Sequence, residues 1–155
     1  MKLIPFIIPL MAVFTRAIPY NVKVDNEYNF AGSSTNITAP ACAYKLGTPY
    51  PRLGNFPIFP NIAGSTLVVT GADTSQCGSC WRLTYTTNSG PDNGNMKTTS
   101  INVAVINDDQ SATPTTQEFS ISQQAFYALV GPGSLANNIP VNAEPIDGMA
   151  CFPPQ

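Results

Sequence analysis

The sequence contains no histidine, and this absence excludes several kinds of functional site. Without an imidazole, the common Ser–His and Cys–His nucleophile systems cannot form. Charged residues are also scarce, at 10% of the chain, with seven Lys+Arg against nine Asp+Glu. A protein that binds nucleic acid or anionic lipid needs a Lys/Arg-rich face. The composition therefore argues against both nucleic acid and a membrane surface as partners.

Only the first residues form a long apolar run. Residues 3–14 are almost wholly apolar, follow Lys2, and are followed by Thr15, Arg16 and Ala17. This pattern predicts a secretory signal, residues 1–17, cleaved after Ala17. A membrane anchor is disfavoured because about twelve residues span about 18 Å as a helix, against a hydrocarbon core about 30 Å thick. We expect one mature secreted domain, residues 18–155, with five Lys+Arg, nine Asp+Glu and a net charge near −4.

Proline and glycine, in contrast, are frequent. The 15 prolines and 11 glycines, together with many Ser, Thr and Asn residues, are typical of a loop-rich β protein. The segment 31–64 is expected to be turn-rich because its prolines exclude long regular structure. Asn36-Ile37-Thr38 is a glycosylation sequon and predicts a modified, exposed Asn36.

Four cysteines remain in the predicted secreted chain: Cys42, Cys77, Cys80 and Cys151. An even count in a small secreted domain predicts two disulfides, for which the sequence alone allows three pairings. A redox Cys-x-x-Cys pair would start a helix, but here strand-forming residues follow. A zinc site would need a second ligand pair. We therefore expect no metal and no cofactor.

The remaining pattern is that of short strands and one helix. Ser122 suits an N-cap and Gly131 a helix end, with apolar residues between them on one stripe. Many short strands with a single helix suggest a small barrel. The predicted strands cover residues 22–24, 66–70, 81–86, 101–106 and 139–146, the last as an edge strand because two prolines interrupt it.

Several motifs resemble the cerato-platanin family. Residues 77–85, Cys-Gly-Ser-Cys-Trp-Arg-Leu-Thr-Tyr, resemble the family's Cys-Gly-x-Cys-Trp-x-Leu-Thr-Tyr segment. Upstream, residues 50–54 (Tyr-Pro-Arg-Leu-Gly) and 59–64 (Phe-Pro-Asn-Ile-Ala-Gly) resemble its Tyr-Pro-x-Leu-Gly and Phe-Pro-Asn-Ile-Gly-Gly stretches. Residues 119–121 (Phe-Ser-Ile) and the last cysteine also fit, so the resemblance extends over roughly residues 22–151.

This resemblance implies a fold. The family are secreted fungal proteins, similar to expansins, with a mainly β, six-stranded double-psi barrel, one or two short helices and long loops. Their cysteines pair first with second and third with fourth. The implied disulfides are thus Cys42–Cys77 and Cys80–Cys151.

The resemblance also implies a function without catalysis. Members bind chitin fragments, which are N-acetylglucosamine oligomers, in a shallow groove, and some loosen cellulose without hydrolysing it. They assemble at air–water interfaces and act as elicitors, and some are allergens or stimulate immune cells. The expected partners are cell-wall polysaccharide, a host immune receptor and further copies of the chain, outside the cell or in the cell wall. The alternatives are a self-assembling immunomodulatory protein without useful sugar binding, and a weak endoglucanase.

The implied sugar site departs from the family pattern. Where the family has Asp at the end of a Val-x-x-Ile-Asp strand, this chain has Asn107, unless a one-residue slip lets Asp108 serve. Ser120 stands where the family usually has Asn. An amide binds sugars through its donors and acceptors but cannot act as a general acid. Asn107, Asp108 and Ser120 are the expected polar contacts, with Tyr28 as a stacking face.

The aromatic and apolar side chains have two interpretations each. Trp81 lies on a strand beside a cysteine and is expected in the core. Tyr28, like three other tyrosines, offers either a flat face for a sugar ring or core packing. The apolar side chains of a proline-rich loop either are exposed and form an apolar patch, or are buried and cover the barrel. The residues concerned are Tyr44, Tyr50 and Tyr85 for the tyrosines, and Phe56, Ile58, Phe59 and Ile62 for the loop.

Overall fold

The computed structural model describes residues 18–28, 34, 42–47, 49–68, 74–88, 96–109 and 117–154. The predicted signal, residues 1–17, and the sequon at Asn36 lie outside these ranges and stay predictions. Within the ranges, no helix has both the length and the apolar character needed to cross a bilayer.

Six strands form a closed barrel in the order β1-β5-β2-β4-β3-β6. The pairs β1–β5 and β2–β4 are parallel, and the other neighbours are antiparallel. A mainly β, six-stranded barrel is thus confirmed. The strands are β1 Ile18–Val24, β2 Ile62–Ser65, β3 Cys80–Asn88, β4 Met96–Asp108, β5 Glu118–Ile121 and β6 Asn138–Ile146; the helices are α1 Ala43–Leu46 and α2 Gln123–Val130.

The predicted strand over residues 66–70 is wrong. Thr66 and Leu67 form a turn, and the strand is β2, four residues earlier; residues 69 and 70 lie outside the described ranges. All four β2 residues are buried because β4 and β5 flank the strand. Its Ala-Gly-Ser sequence has weak intrinsic strand preference, so the packing of its neighbours decides its conformation.

The prediction that residues 139–146 form an edge strand is also wrong. Strand β6 pairs with β1 and with β3 and closes the barrel. Pro140 pairs with a residue of β1 and Pro145 with a residue of β3, while Asn142 and Ala143 pair with both strands. Within the described residues, each proline thus pairs with a strand on one side only, so its missing N–H is tolerated inside a closed sheet.

Helix α2 follows its sequence signals. The Ser122 side chain accepts a hydrogen bond from the Ala125 N–H at 3.0 Å, which confirms the N-cap. Gly131 ends the helix at φ +93°, a conformation that only glycine adopts easily. The apolar stripe faces the barrel, with Ala125, Phe126 and Leu129 buried.

The core includes several of the side chains for which the sequence allowed two interpretations; Tyr50 and Tyr85 are half-buried against it, and Tyr44 is 68% exposed. Trp81 is 7% exposed and lies 5.9 Å from Tyr20 and 5.6 Å from Phe119, measured between ring centroids. Its core position is therefore confirmed. Phe56 and Ile62 are buried, so the proline-rich loop covers the barrel; its other two apolar residues, Ile58 and Phe59, are half-buried and pack against the core.

Both implied disulfides are confirmed. Cys42 pairs with Cys77, and Cys80 pairs with Cys151, with Cα–Cα distances of 5.4 and 5.8 Å. All four cysteines are buried. Because Cys77 and Cys80 are close neighbours in sequence, both bridges anchor distant parts of the chain at the start of β3.

Replacing either cysteine pair by serine is expected to lower the free energy of unfolding by about 4 kcal/mol, because each bridge restricts a long loop of the unfolded chain. The loops span 35 and 71 residues, so the two losses are expected to be similar. Urea unfolding of Cys42→Ser/Cys77→Ser and of Cys80→Ser/Cys151→Ser measures them. A loss below 1 kcal/mol, on the order of one hydrogen bond, would contradict the anchoring role.

Candidate functional site

The candidate site lies where β2, β4 and β5 meet. Gly64 of β2 pairs with Asn107 of β4 on one side and with Ser120 of β5 on the other. The β2–β4 register shifts by one residue between Ala63 and Gly64, which leaves Ile106 without a partner. This irregularity places Asn107 opposite Gly64.

Tyr28 reaches this point from a 3-10 turn, Asn26–Tyr28, that follows β1. The Asn107 side-chain amide donates to the Tyr28 hydroxyl at 3.4 Å. A Cβ on Gly64 would lie 2.9 Å from the same hydroxyl and 2.9 Å from the Asp108 carbonyl oxygen. Gly64 is therefore required by close packing, and the hydroxyl lies within hydrogen-bond distance of the Asn107 amide.

The ring of Tyr28 does not offer the stacking face that was expected. The residue is only 3% exposed, so both faces of the ring are covered. Burial raises the pKa of Tyr28, and Asp25, Glu27 and Asp109 add to the increase, while the hydrogen bond from Asn107 opposes it. The contribution of Tyr28 at this site is its hydroxyl.

Asn107 is the partly exposed member of the predicted set. Its side-chain oxygen accepts from the Asp108 N–H at 2.8 Å, while its nitrogen donates to Tyr28. Two contacts thus fix the orientation of the amide. An amide nitrogen carries two hydrogens and its oxygen two lone pairs, so Asn107 retains one donor and one acceptor for a ligand.

Asp108 and Ser120 are buried, at 9% and 2% exposure. The Ser120 hydroxyl donates to the Asp109 carboxylate at 2.6 Å. Ser120 therefore supports Asp109 rather than presenting an open polar contact. The structure brings Tyr28, Asn107, Asp108 and Ser120 together, but only Asn107 is partly open to solvent.

A three-residue ionic cluster borders the site. The Lys23 ammonium lies 3.0 Å from an Asp109 carboxylate oxygen and 2.9 Å from a Glu118 carboxylate oxygen. Burial lowers the pKa of Lys23, but the hydrogen bonds to Glu118 and Asp109 outweigh it, so the pKa is raised. The cluster joins β1, β5 and the end of β4.

Sequence reasoning selected Asp108 and missed Lys23 and Asp109. In the parallel β1–β5 pair, Lys23 lies opposite Ser120, and Glu118 is two residues before Ser120 on the same face. This register, which brings Lys23 to Glu118, exists only in the folded barrel, so no sequence pattern indicated the contact. No local pattern indicates Asp109, because it follows the last residue of β4. Across the described ranges, no group of three or more His, Cys, Asp or Glu residues could hold a metal ion.

Comparison with known sequences gives consistent matches. The family model described as Cerato-platanin matches residues 20–134. The cerato-platanin of Ceratocystis fimbriata f. sp. platani is 27% identical over 146 residues, which are 94% of each chain. Allergen Asp f 15 of Aspergillus fumigatus is 34% identical over 73 residues, 46% of this chain. That match covers only 47% of the allergen's own length.

Solved structures agree with the sequence matches. The crystal structure of cerato-platanin 2 from M. perniciosa superposes with a TM-score of 0.68 at 25% identity, covering 86% of this chain and 98% of that one. The solution structure of the fungal elicitor Cerato-Platanin gives a TM-score of 0.63 at 26% identity, covering 85% and 96%. The barrel is thus similar over nearly the whole length of both neighbours.

Replacing Lys23 by Met is expected to lower the free energy of unfolding by roughly 3 kcal/mol, because it removes the cation from a buried carboxylate. The Asp109 side chain is 3% exposed. Arg82→Met is the matched control: it removes an ion pair with Glu144 whose side chains are 47% and 48% exposed, and about 0–1 kcal/mol is expected. Urea unfolding at neutral pH compares them, and equal losses would contradict a structural role for the cluster.

Replacing Tyr28 by Phe is expected to flatten the dependence of stability on pH in alkali. A raised pKa means that the folded protein holds the phenol proton more tightly than the unfolded chain, so Tyr28 contributes stability below pH 10.0 that is lost as pH rises above it. Urea unfolding at about pH 8 and about pH 11 measures the difference. The same alkaline loss in both proteins would show that Tyr28 is not responsible.

Proposed function

Because the chain belongs to the cerato-platanin family, we propose that it is a secreted, non-catalytic protein that binds N-acetylglucosamine oligomers of chitin. The observation that carries this proposal is the Asn107 amide, which is partly exposed and held in one orientation at the end of the barrel. Family members are secreted fungal proteins, and two buried disulfides fit an extracellular compartment. The predicted signal supports the same location.

A neutral sugar suits the chemistry around Asn107. The carboxylates of Asp109 and Glu118 share the single ammonium of Lys23, so the cluster keeps one net negative charge and disfavours an anionic ligand. The amide can donate to a sugar hydroxyl or acetamido oxygen and accept from an acetamido N–H. Amide-to-amide hydrogen bonding favours an N-acetylated sugar over plain glucan.

The same groups support binding without hydrolysis. Cerato-platanins are generally non-catalytic, and glycoside hydrolysis usually needs two opposed carboxyl groups about 5–9.5 Å apart. At this site Asn107 supplies an amide, which cannot donate a proton as a general acid. Asp109 and Glu118 contact one ammonium instead of flanking an open cleft.

Recognition by a host immune system is the second part of the proposal. One similar protein is named an allergen, and another is described as a fungal elicitor. A small, disulfide-bridged barrel with few charges would persist outside the cell and present a constant surface to a receptor. We propose that this chain acts as such an elicitor or allergen, through an unidentified receptor.

A second candidate is an immunomodulatory protein that no longer binds sugar usefully. It is favoured by the burial of Tyr28 and Ser120, which leaves fewer open contacts than the family pattern implies. The two candidates differ in one measurable property, the affinity for chitin fragments.

Titration of the ¹⁵N-labelled protein with N-acetylglucosamine oligomers is expected to shift the Asn107 side-chain resonances and their neighbours. Asn107→Ala is expected to weaken binding about tenfold, because it removes hydrogen bonds whose net contribution is about 1 kcal/mol each. Asn142→Ala, which removes an exposed amide from β6, is the matched control and is expected to bind normally.

The outcome separates the candidates. Shifts that saturate near Asn107 and are weakened by its replacement support sugar binding. An unchanged spectrum supports the second candidate. Release of reducing ends from soluble glucan, abolished by Asp108→Asn, would instead contradict the non-catalytic assignment.

A further inference from the structure

Strand β4 extends beyond its pairing with β2. It pairs with β3 along its whole described overlap, from Ala104 opposite Cys80 to Met96 opposite Asn88. Its pairing with β2 begins only at Ala104. In the strand pairings of the described ranges, residues 96–101 therefore have a neighbour on the β3 side alone. Together with β3 they form a two-stranded ribbon whose β4 edge is unpaired within the described ranges; the β3 edge is also unpaired there beyond Thr84, where pairing with β6 ends.

The backbone groups at the β4 edge can be assigned to a side. The Ala104 N–H donates to the Asn61 carbonyl on the β2 side at 3.1 Å, and the Val105 N–H donates to the Ser79 carbonyl on the β3 side at 2.9 Å. Successive residues of a strand point these groups to opposite sides, and the β3–β4 register has no shift. The N–H and C=O groups of Thr98 and Ser100 thus point to the open edge.

This edge has little of the usual protection against strand pairing. Edge strands are commonly blunted by proline, bulges or charged side chains, especially lysine. Residues 96–101 read Met-Lys-Thr-Thr-Ser-Ile, with no proline, no bulge and the single charge of Lys97. The Thr98 and Ser100 side chains are exposed. An added strand would find a regular row of donors and acceptors.

We propose that this edge pairs antiparallel with the same edge of a second copy of the chain. Residues whose backbone groups point outward must oppose each other, so a two-fold axis at Thr99 places Thr98 opposite Ser100 of the second copy. In this register Lys97 faces Ile101 of the second copy. The only charge on the edge therefore meets no like charge directly across the interface.

The side chains of the ribbon argue for a second copy as the occupant. On its outer face, the Thr86 and Thr98 hydroxyls are hydrogen-bonded at 3.1 Å, and those of Thr84 and Ser100 at 2.9 Å. Placing Thr98 beside Ser100 of the second copy joins two such pairs into one row across four strands. Cross-strand Thr and Ser pairs of this kind stabilise sheets. The edge thus complements itself both in backbone groups and in hydroxyl side chains.

The test is the oligomeric state of the folded secreted protein, measured by sedimentation over a wide concentration range. We expect a reversible dimer that Thr98→Lys/Ser100→Lys weakens roughly tenfold or more, because lysines would then oppose each other twice across the axis. The matched control is Thr84→Lys/Thr86→Lys, which adds the same charges to the same face one strand further from the edge. Circular dichroism verifies that both variants fold.

A charge-swap mixture makes the test specific to the register. Thr98→Glu/Ser100→Glu alone is expected to be monomeric, but its mixture with the double-lysine variant is expected to restore a dimer with one copy of each. The proposal is overturned by a wild-type protein that stays monomeric, by a control weakened as much as the edge variant, or by a mixture that does not associate. Asn107→Ala is expected to dimerise normally, so loss of sugar binding does not affect this result.

Discussion

The structure depends on the two disulfides that meet at the start of β3. Cys77 and Cys80 are separated by two residues, yet one is bonded to Cys42 and the other to Cys151. Strand β3 pairs with β4 and β6. The two disulfides hold the start of β3 in place, and this also positions the two strands that pair with it. With a tenth of the residues charged, few long-range ionic links are available besides the strand pairing and the buried core. The two disulfides, which restrict long loops of the chain, take the place of such ionic links.

Closure of this barrel creates the polar site. The register shift between β2 and β4 places Asn107 beside the Tyr28 hydroxyl, and Gly64 provides the space for it. The ionic cluster of Lys23, Asp109 and Glu118 joins three strands nearby. Both carboxylates of this cluster contact one ammonium, so they do not form the opposed pair that glycoside hydrolysis requires. The site thus presents the neutral amide of Asn107, while the carboxylates of Asp109 and Glu118 are paired with Lys23.

The two proposed surfaces share a chemical character. Asn107 at the barrel end and the Thr98–Ser100 edge of β4 both act through amide and hydroxyl groups rather than through charge. A chain with few ionic groups has little long-range electrostatic attraction, so its specificity must come from the direction of short hydrogen bonds. The proposed surfaces use different residues, so we expect sugar binding and self-pairing to be independent of each other.

The sequence by itself determined the elements whose signals are local: the β-branched strands β3 and β4, the capped helix α2, and the cysteine framework once the family resemblance supplied its pairing. Only the tertiary structure decided that β2 precedes residue 66, that β6 closes the barrel, and that Tyr28 is buried. It also decided that Lys23 contacts Asp109, a residue 86 positions away. The physical reason is that burial and strand pairing depend on which distant segments meet, and neither propensity nor periodicity within one segment contains that information.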